Sequence, residues 1–445
     1  MQIERVSVLG LFDRFDHELR FSSEEPITIM IGPNGFGKTM ILRLLNVLFS
    51  QPVFTLSRYP FRKLIVNFDN NSKIEVSRKF DKDQNIPKLK LVFRERNKII
   101  DSLEPQTLVS SDDLSIPLSS IEDIIPELDQ IDRREWRDLS TGSILDFDGV
   151  VEKYGSRLPW DSKVPEVTKP EWLLEIRKAI PVRYIDTERL TLFPSASRRP
   201  HGMWHSSKFR MTRTVRRYSE ELGERVQKTL SEYGSRSQSL DRSFPMRLVE
   251  EPPKTHITIE QLRQELSAVE ATRAKLVEAG LIAHEDQGPV APSIEAIDES
   301  RRGVLAVYAQ DTKEKLSIFD DLYLRIDALK RISDERLLYK HISVGPKGLS
   351  VLNTDDSTLD LEMLSSGEQH ELVILYELLF RVKNNSFVLI DEPELSLHVD
   401  WQDKFLEDLL QMAKISNFRV LLATHSPQII GDNWHLTVEL KGPKL

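Results

Sequence analysis

The sequence predicts an α/β fold with a mixed sheet that begins with antiparallel strands, and a long helical or coiled-coil insertion interrupts the chain. Three observations lead to this prediction. Short runs of strand-forming residues fill the first hundred residues, charged segments with helical spacing fill the middle, and strand and helix patterns alternate again from residue 337. Because alternating strands and helices are typical of an α/β domain, we expect the two outer parts to fold together.

Length and composition limit the alternatives. The chain has 445 residues, which favours two or three domains, and its 40% apolar and 29% charged residues are typical of a soluble globular protein. No apolar run approaches the roughly 20 residues of a membrane-spanning helix, and the N-terminus MQIERVSVLG is too charged for a secretion signal. The absence of cysteine excludes disulfides, thiolate zinc sites and cysteine nucleophiles, and it fits a cytoplasmic location.

The first part of the predicted domain covers residues 1–192. QIERVSVLGLF, HELRF and PITIMI have strand patterns, and GKTMILRLLNVLF has helical spacing. KLIVNF, IEVSRKF and KLKLVFRER alternate around an Asn-rich turn, which indicates an antiparallel hairpin or meander. Residues 101–170 are acidic and contain prolines, so we expect an irregular helical subdomain there.

Residues 193–335 form the predicted insertion. One helix has apolar residues near a single stripe: Ile259, Leu262, Leu266, Val269, Leu276 and Val277. Another, within 300–332, has Val304, Tyr308, Leu316, Phe319, Tyr323 and Ile326. Spacings of three and four fit a short coiled-coil seam. A compact helical bundle and a projecting antiparallel arm explain this pattern equally well. Residues 336–445 return to strands and helices and form the second part of the domain.

The segment GPNGFGKT predicts a phosphate-binding loop. It fits G-x-x-x-x-G-K-[ST], follows an apolar strand and opens a helix. Backbone N–H groups would surround a phosphate, Lys38 would reach the β- and γ-phosphates, and Thr39 would ligate Mg²⁺. The predicted binding residues here are Gly32, Pro33, Asn34, Gly35, Phe36, Gly37, Lys38, Thr39 and Met40. A glycine-rich turn that matches by coincidence is the alternative.

Two further strands end in polar residues. FVLIDEPELSLH puts Asp391 and Glu392 at the carboxyl end of a buried strand, the edge at which α/β sheets bind ligands. We expect Asp391 to hold Mg²⁺ and Glu392 to act as general base on water, although an acidic helix cap would look similar. LLATHSPQII places His425 after the next strand, where it would assist at the γ-phosphate; a structural loop histidine is the alternative.

The segment LSSGEQ has two compatible interpretations. Ser365 and Glu368 form the S-x-x-E pattern of a capping box, which only requires a well-capped helix. Gly367, however, weakens a first helical turn unless something approaches the backbone, and a helix start with serine hydroxyls is suited to anions. The predicted phosphate-facing residues are Ser365, Ser366, Gly367, Glu368 and Gln369.

Together, GPNGFGKT, LSSGEQ, LIDEPELSLH and ATHSP resemble the ATPase head of the ABC superfamily, in the style of its RecF, SMC and OLD branch. The resemblance covers residues 1–100 and 337–445. It implies a P-loop ABC-type head that binds ATP and Mg²⁺ and hydrolyses ATP to ADP and phosphate. In that superfamily two heads associate head to tail, and the signature loop of each closes on the ATP of the other.

The resemblance also assigns contacts. It implies that Ser365, Gly367 and Glu368 meet the γ-phosphate in trans, that Gln369 completes the signature, and that residues 395–398 cross the interface. Ser366 departs from the more usual second glycine. No clear Q-loop glutamine is present, and the candidates are Thr187 and Glu188. Candidates for stacking on the base are Phe12 and Phe15.

A narrower resemblance is to stand-alone bacterial anti-phage ATPases, namely AriA of the PARIS system and PtuA of Septu. These act with a separately encoded nuclease or toxin. Because the chain ends soon after His425, we expect any nuclease to be a separate polypeptide. The implied function is an oligomeric ATP-driven switch that controls such an effector. The alternative is a DNA repair or recombination ATPase that clamps DNA.

A basic segment is the remaining feature. Since the net charge is −9, any nucleic-acid contact would need a local basic patch. The segment has aromatic residues among the following cations: Arg198, Arg199, Lys208, Arg210, Arg213, Arg216 and Arg217. This composition fits a contact with nucleic acid or an acidic partner, and equally a solvated stretch that pairs with the chain's own acids.

Overall fold

The computed structural model describes most of the chain. The described residues are 1–81, 86–105, 114–125, 128–138, 144–155, 157–159, 170–186, 207–250, 258–283, 299–395, 397 and 399–442. Within the described residues, every helix is too short or too polar to span a lipid bilayer. Thr187, Glu188, Arg198 and Arg199 lie outside this part of the chain.

The chain divides into two compact units. One combines Met1–Thr214 with Glu377–Leu445, and the other is Val215–Tyr376. The insertion predicted from the sequence has different boundaries, since it begins at residue 193 and ends at residue 335. The second unit extends to Tyr376 because a hairpin and a helix near its end pack on the inserted helices: the Ser219 hydroxyl, for example, bonds both the N–H and the carbonyl of Leu349.

The first unit begins with an antiparallel sheet of six strands in the order β2-β1-β4-β5-β6-β7. The elements up to this point are β1 (Ile3–Leu11), β2 (Phe15–Arg20), β3 (Ile27–Ile31), α1 (Lys38–Ser50), β4 (Lys63–Phe68), β5 (Ser72–Asp81), β6 (Ile86–Glu95) and β7 (Lys98–Leu103). Alternate residues such as Leu64, Val66 and Ile74 are fully buried, so one face of the sheet lies on the core. The predicted meander is confirmed.

A small sheet follows, within the region expected to be irregular and helical. Its elements are α2 (Ile121–Ile124), β8 (Leu128–Asp132), β9 (Glu135–Asp138), β10 (Ile144–Asp146) and α3 (Phe147–Tyr154), with strand order β10-β9-β8. The sequence does not predict this sheet because its strands are short and rich in charge. The fully buried Trp136 organises a separate apolar cluster with neighbours such as Val150 and Val151.

The second unit is mainly helical. After α4 (Glu171–Ala179) and β11 (Val182–Asp186) of the first unit, the elements are α5 (Ser207–Glu250), α6 (Ile259–Glu278), α7 (Glu299–Leu316), α8 (Asp320–Asp334), β12 (Lys340–Gly345), β13 (Gly348–Asn353), β14 (Thr358–Leu359) and α9 (Ser366–Tyr376). The strands β12, β13 and β14 form an antiparallel sheet, as HISVGPKGLSVLN predicts for its first two strands.

The predicted seam between α6 and α7 is partly as expected. Leu262 and Leu266 are buried and pack with Ala309. Val304 and Tyr308, which we expected in the seam, are exposed, while Leu305 and Ala306 pack against the cluster instead. The apolar stripe of α7 is therefore shifted by one residue, from Val304 and Tyr308 to Leu305 and Ala309, whereas Leu316 at the end of α7 is buried as expected.

The first unit resumes with the second half of the α/β pattern. After a π-helical turn at Glu377–Arg381, the elements are β15 (Phe387–Asp391), α10 (Val399–Ser416), β16 (Arg419–Ala423), α11 (Pro427–Ile430) and β17 (Thr437–Glu439). A five-stranded parallel sheet runs in the order β11-β15-β16-β3-β17. Every residue of β15 is buried, as expected for a central strand of a parallel sheet.

Candidate nucleotide-binding site

The loop between β3 and α1 has the conformation that its glycines allow. Gly32, Gly35 and Gly37 have φ angles of 154°, 83° and 90°. A Cβ on Gly37 would overlap the Leu11 side chain, so only glycine fits between the loop and the first strand. Gly37 also precedes the first residue of α1 and provides no side-chain cap, which leaves the helix N–H groups directed at the loop.

Aromatic packing fixes Phe36, the residue between two of the loop glycines. The Phe36 ring lies 5.1 Å from the Phe15 ring, and His17 Nε2 donates to Phe36 O at 2.8 Å. Burial lowers the pKa of His17, while the hydrogen bond to Phe36 O and the nearby Asp16 carboxylate oppose this effect. Phe15 is thus buried where it packs on the loop residue Phe36, whereas Phe12 is exposed beside Gly37.

Lys38 lies at the centre of the site. Its Nζ donates to Gly32 O at 2.8 Å and to Pro33 O at 3.4 Å, and it contacts His425 Nε2. Burial lowers the pKa of Lys38, while the nearby carboxylates of Glu392, Asp391 and Glu394 oppose this effect. The ammonium is held in place by loop carbonyls and acidic neighbours.

Asp391 ends β15 beside the first turn of α1. Its Oδ1 accepts a hydrogen bond from Thr39 Oγ1 at 3.2 Å, and its Oδ2 accepts one from Tyr184 OH at 3.1 Å. A hydroxyl and a carboxylate are the kind of oxygen ligands that Mg²⁺ prefers. The two residues predicted to share the metal are therefore in direct contact, and the donor set fits Mg²⁺.

Glu392 and His425 lie at the same edge of the sheet. Glu392 N donates to Ala423 O at 2.8 Å, and its Oε1 is 3.8 Å from His425 Nε2. Glu392 has a φ of 44°, a left-handed conformation that is uncommon for a residue with a Cβ and is often found at functional sites. Its side chain is one-third exposed, so a water molecule can reach it.

One known protein family matches this chain over residues 165–431, more than half of its length. The family is described as an AAA domain, putative AbiEii toxin, type IV TA system. The chain belongs to this AAA-domain family. The matched segment includes Asp391, Glu392 and His425, whereas the glycine loop precedes it. Membership confirms the prediction of a P-loop ATPase domain.

Comparison with solved structures finds heads of SMC proteins. One is the Smc head domain with an extended coiled coil bound to the C-terminal domain of ScpA, from Pyrococcus furiosus: identity is 11%, coverage is 96% of this chain and 91% of that chain, and the TM-score is 0.31. The SMC head domain from Thermotoga maritima has 10% identity, coverage of 97% and 91%, and a TM-score of 0.32. No curated protein matches the chain.

In the second unit, helix α9 begins with the predicted capping box. Ser365 Oγ accepts a hydrogen bond from Glu368 N at 3.3 Å, and Glu368 Oε2 accepts one from Ser365 N at 2.7 Å. The other oxygen of Glu368 pairs with Lys340 Nζ at 2.8 Å. Glu368 thus supports the helix start, while Ser365 and Ser366 are exposed.

Two residues on the buried side of α9 fix its position. Gln369 is fully buried, and its Nε2 donates to Leu361 O at 3.3 Å and to Leu364 O at 3.0 Å, so its amide supports the turn before the helix. Glu371 is paired with Arg336, and both side chains are almost completely buried. Burial raises the pKa of Glu371 to about 7, and the Arg336 guanidinium opposes this rise.

The basic segment is described only in part. The side chains of Lys208, Arg210 and Arg213 lie outside the described residues. Arg216 Nη2 is 2.9 Å from Glu362 Oε1 and 3.7 Å from Asp360 Oδ2, and both acids precede helix α9. Arg217 also has a partner. For Arg216, the structure agrees with the alternative in which the segment pairs with the chain's own acids.

Sequence reasoning missed Tyr184 and His17 as members of the site. Tyr184 reaches Asp391 because β11 pairs with β15 in parallel, with Asp186 opposite Asp391. The apolar pattern of IPVRYIDTERL predicts a strand but not its neighbour. His17 was part of a predicted strand, and only the fold shows that it supports the glycine loop.

We predict that removing one partner of the buried pair destabilises the protein more than removing both. Arg336→Met leaves Glu371 buried without its cation, at a cost of about 3 kcal/mol, whereas the Arg336→Met, Glu371→Leu double variant recovers most of it. Burial favours the protonated form of Glu371, whose pKa is raised to about 7. Arg336 lowers this pKa, so its removal raises the folded-state pKa of Glu371 further, and the penalty for Arg336→Met relative to wild type grows as pH rises from 5.5 to 8.5.

Urea unfolding of the three proteins at both pH values is the measurement. The pairing is irrelevant to stability if the single and double variants lose the same free energy. The assigned sign is wrong if the free-energy penalty of Arg336→Met relative to wild type is smaller at pH 8.5 than at pH 5.5.

Proposed function

We propose that this AAA domain is an ATP-hydrolysing molecular switch of a bacterial anti-phage defence system, which oligomerises head to tail and controls a separately encoded effector nuclease or toxin. The observation that carries this proposal is the convergence of Lys38, Thr39, Asp391, Glu392 and His425 at one edge of the parallel sheet. The family description, which names a toxin–antitoxin system, supports the role in defence.

The proposed chemistry assigns one task to each group. The N–H groups of the glycine loop and Lys38 bind the phosphates of ATP. Thr39 and Asp391 hold Mg²⁺, which when bound neutralises phosphate charge. Glu392 orients a water molecule and accepts its proton, and His425 donates a hydrogen bond to the reacting phosphate. The products are ADP and phosphate.

Association would complete the site. Ser365 and Ser366 are exposed at the N-terminus of α9, and the partial positive charge of a helix N-terminus favours a phosphate group. In the proposed assembly this helix start faces the ATP bound by a second copy. Hydrolysis then requires two copies, so the nucleotide controls assembly and assembly controls the effector. Leu395, which is 61% exposed, begins the segment proposed to cross between the copies.

We predict that Glu392→Gln traps an ATP-bound oligomer. Glutamine keeps the shape of the side chain but cannot accept a proton, so ATP stays bound and holds the copies together. Mass photometry with and without ATP is the measurement, and Glu392→Gln combined with Lys38→Ala is the control that should remain dissociated. A Glu392→Gln protein that stays monomeric at saturating ATP contradicts the proposal, as does a wild-type rate per subunit that is constant on dilution.

A second candidate function, clamping of DNA, is favoured by one surface. The outward face of the antiparallel sheet carries many cations: Arg5, Arg20, Lys63, Lys73, Lys79, Lys88, Lys90 and Arg94. Lys63, Lys73 and Arg94 lie within 3.1, 2.9 and 3.3 Å of a single carboxylate, that of Glu75. This local excess of positive charge, in a chain of net charge −9, is suited to a polyanion.

We predict that Lys73→Glu with Lys90→Glu separates the two candidates. If the protein clamps DNA, duplex DNA stimulates hydrolysis, binding falls steeply with salt, and this double variant loses both effects. Lys404→Glu with Lys414→Glu, at two exposed positions of α10, is the charge-matched control. If the protein is a defence switch, DNA has no effect, and the product of an adjacent gene copurifies at a fixed ratio with both the double variant and the wild type.

A further inference from the structure

Two loops of the candidate site are joined by a buried glutamine to which the proposed chemistry gives no role. Gln402 on α10 is 8% exposed. Its Nε2 donates to Glu394 O at 3.3 Å and to Leu397 O at 3.4 Å, and its Oε1 accepts from Ser426 Oγ at 2.8 Å. One side-chain amide therefore spans the loop after β15 and the loop after β16.

The orientation of this amide is fixed by its partners. Two of them are carbonyl oxygens, which only accept, so they must face the NH₂ group. The third is the hydroxyl of Ser426, which donates to Gln402 and accepts from Ile429 N as the cap of α11. A reversed amide would place its oxygen against two carbonyls. The side-chain amide of Gln402 can therefore bridge these two loops in only one orientation.

Glu394 makes a second connection between the same loops. Its Oε1 accepts a hydrogen bond from His425 N at 2.6 Å. Its Oε2 is buried and has no hydrogen-bond partner among the described residues. A buried carboxylate oxygen without a partner lowers the stability of the protein, so the surrounding fold must keep Glu394 in this position. The backbone of His425 is therefore tied to the segment that follows Glu392.

The connected loops have different surroundings. The loop after β16 holds His425, whose ring contacts Lys38 and lies 3.8 Å from Glu392. The loop after β15 presents Leu395, which is 61% exposed. A displacement at Leu395 would pass through Gln402 and Glu394 to His425, because these bonds leave little freedom between the two segments.

We propose that Gln402 and Glu394 are positioning residues that couple the loop carrying Leu395 to the placement of His425. The proposal rests on the proposed ATPase function, in which a second copy covers Leu395. In this proposal, contact between two copies affects the reacting phosphate. Docking of the partner sets the position of the His425 side chain, and loss of the partner leaves that side chain free to move.

The test compares variants that break single bonds with variants that preserve them. Gln402→Leu removes all three hydrogen bonds of the amide and replaces it with an apolar side chain of similar size. Ser426→Ala removes one of them. Glu394→Ala removes the bond to His425 N, whereas Glu394→Gln keeps an acceptor oxygen. Asp403→Asn, at the next and exposed position of α10, is the control.

The first measurement compares the change in kcat with the change in ATP affinity. We expect Gln402→Leu and Glu394→Ala to lower kcat by up to about 100-fold, the cost of misplacing a catalytic group. For Gln402→Leu we expect little change in ATP affinity, because it alters no charged group near Lys38, Thr39 or Asp391. Glu394→Gln should retain most of the activity. Adding Ser426→Ala to Gln402→Leu should cause little further loss, since both changes break the same bridge.

The second readout needs no turnover. The NMR signal of the His425 ring, assigned by its loss in His425→Asn, should shift in Gln402→Leu and Glu394→Ala and stay in place in Asp403→Asn. If the signal shifts but wild-type protein does not hydrolyse ATP, the proposed function fails and the coupling stands. If wild-type protein hydrolyses ATP while folded Gln402→Leu and Glu394→Ala keep the wild-type kcat and His425 signal, the coupling is wrong.

Discussion

The parallel pairing of β15 with β11 and β16 is the constraint on which the candidate site depends. Parallel strands end at the same edge of a sheet, so Asp391 and His425 meet there although a whole helix separates them in the chain. Pairing of β16 with β3 adds the glycine loop and Lys38 to that edge. Each chemically active residue lies at the carboxyl end of a strand or shortly after it, so the strand order brings these residues together.

The site concentrates costly features that the surrounding fold maintains. Lys38 is 5% exposed, and burial of its ammonium is compensated by loop carbonyls and three nearby carboxylates. Glu392 has a left-handed backbone, and Glu394 has an unpartnered buried oxygen among the described residues. Such features are unfavourable for stability, and their concentration at one sheet edge is expected of a site that is pre-organised for charge. In the second unit, a capping box and a buried ion pair fix α9 in position. Ser365 and Ser366, at the start of this helix, are exposed.

Local patterns in the sequence predict much of this fold, and long-range pairings explain what they miss. The glycine loop, the buried strand before Asp391 and the capping box at Ser365 depend on nearby residues, and each is visible in the sequence. The partnership of Tyr184 with Asp391 and the bridge made by Gln402 depend on strand order and helix packing, which no local period records. The small sheet around Trp136 was missed because short charged strands lack a clear alternation. In α7, Val304 and Tyr308 obscured the adjacent stripe of Leu305, Ala306 and Ala309 that packs on α6.

The central claim is that one copy completes the site of another, and mixing two inactive variants tests it most directly. Lys38→Ala removes the phosphate-binding lysine but leaves α9 intact, and Ser365→Arg blocks the start of α9 but leaves the glycine loop intact. If the site is shared, a mixed assembly contains one glycine loop and one helix start that are both intact, so the mixture hydrolyses ATP although neither variant does alone. If differently tagged variants copurify as mixed assemblies and the mixture remains as inactive as its parents, the account is contradicted.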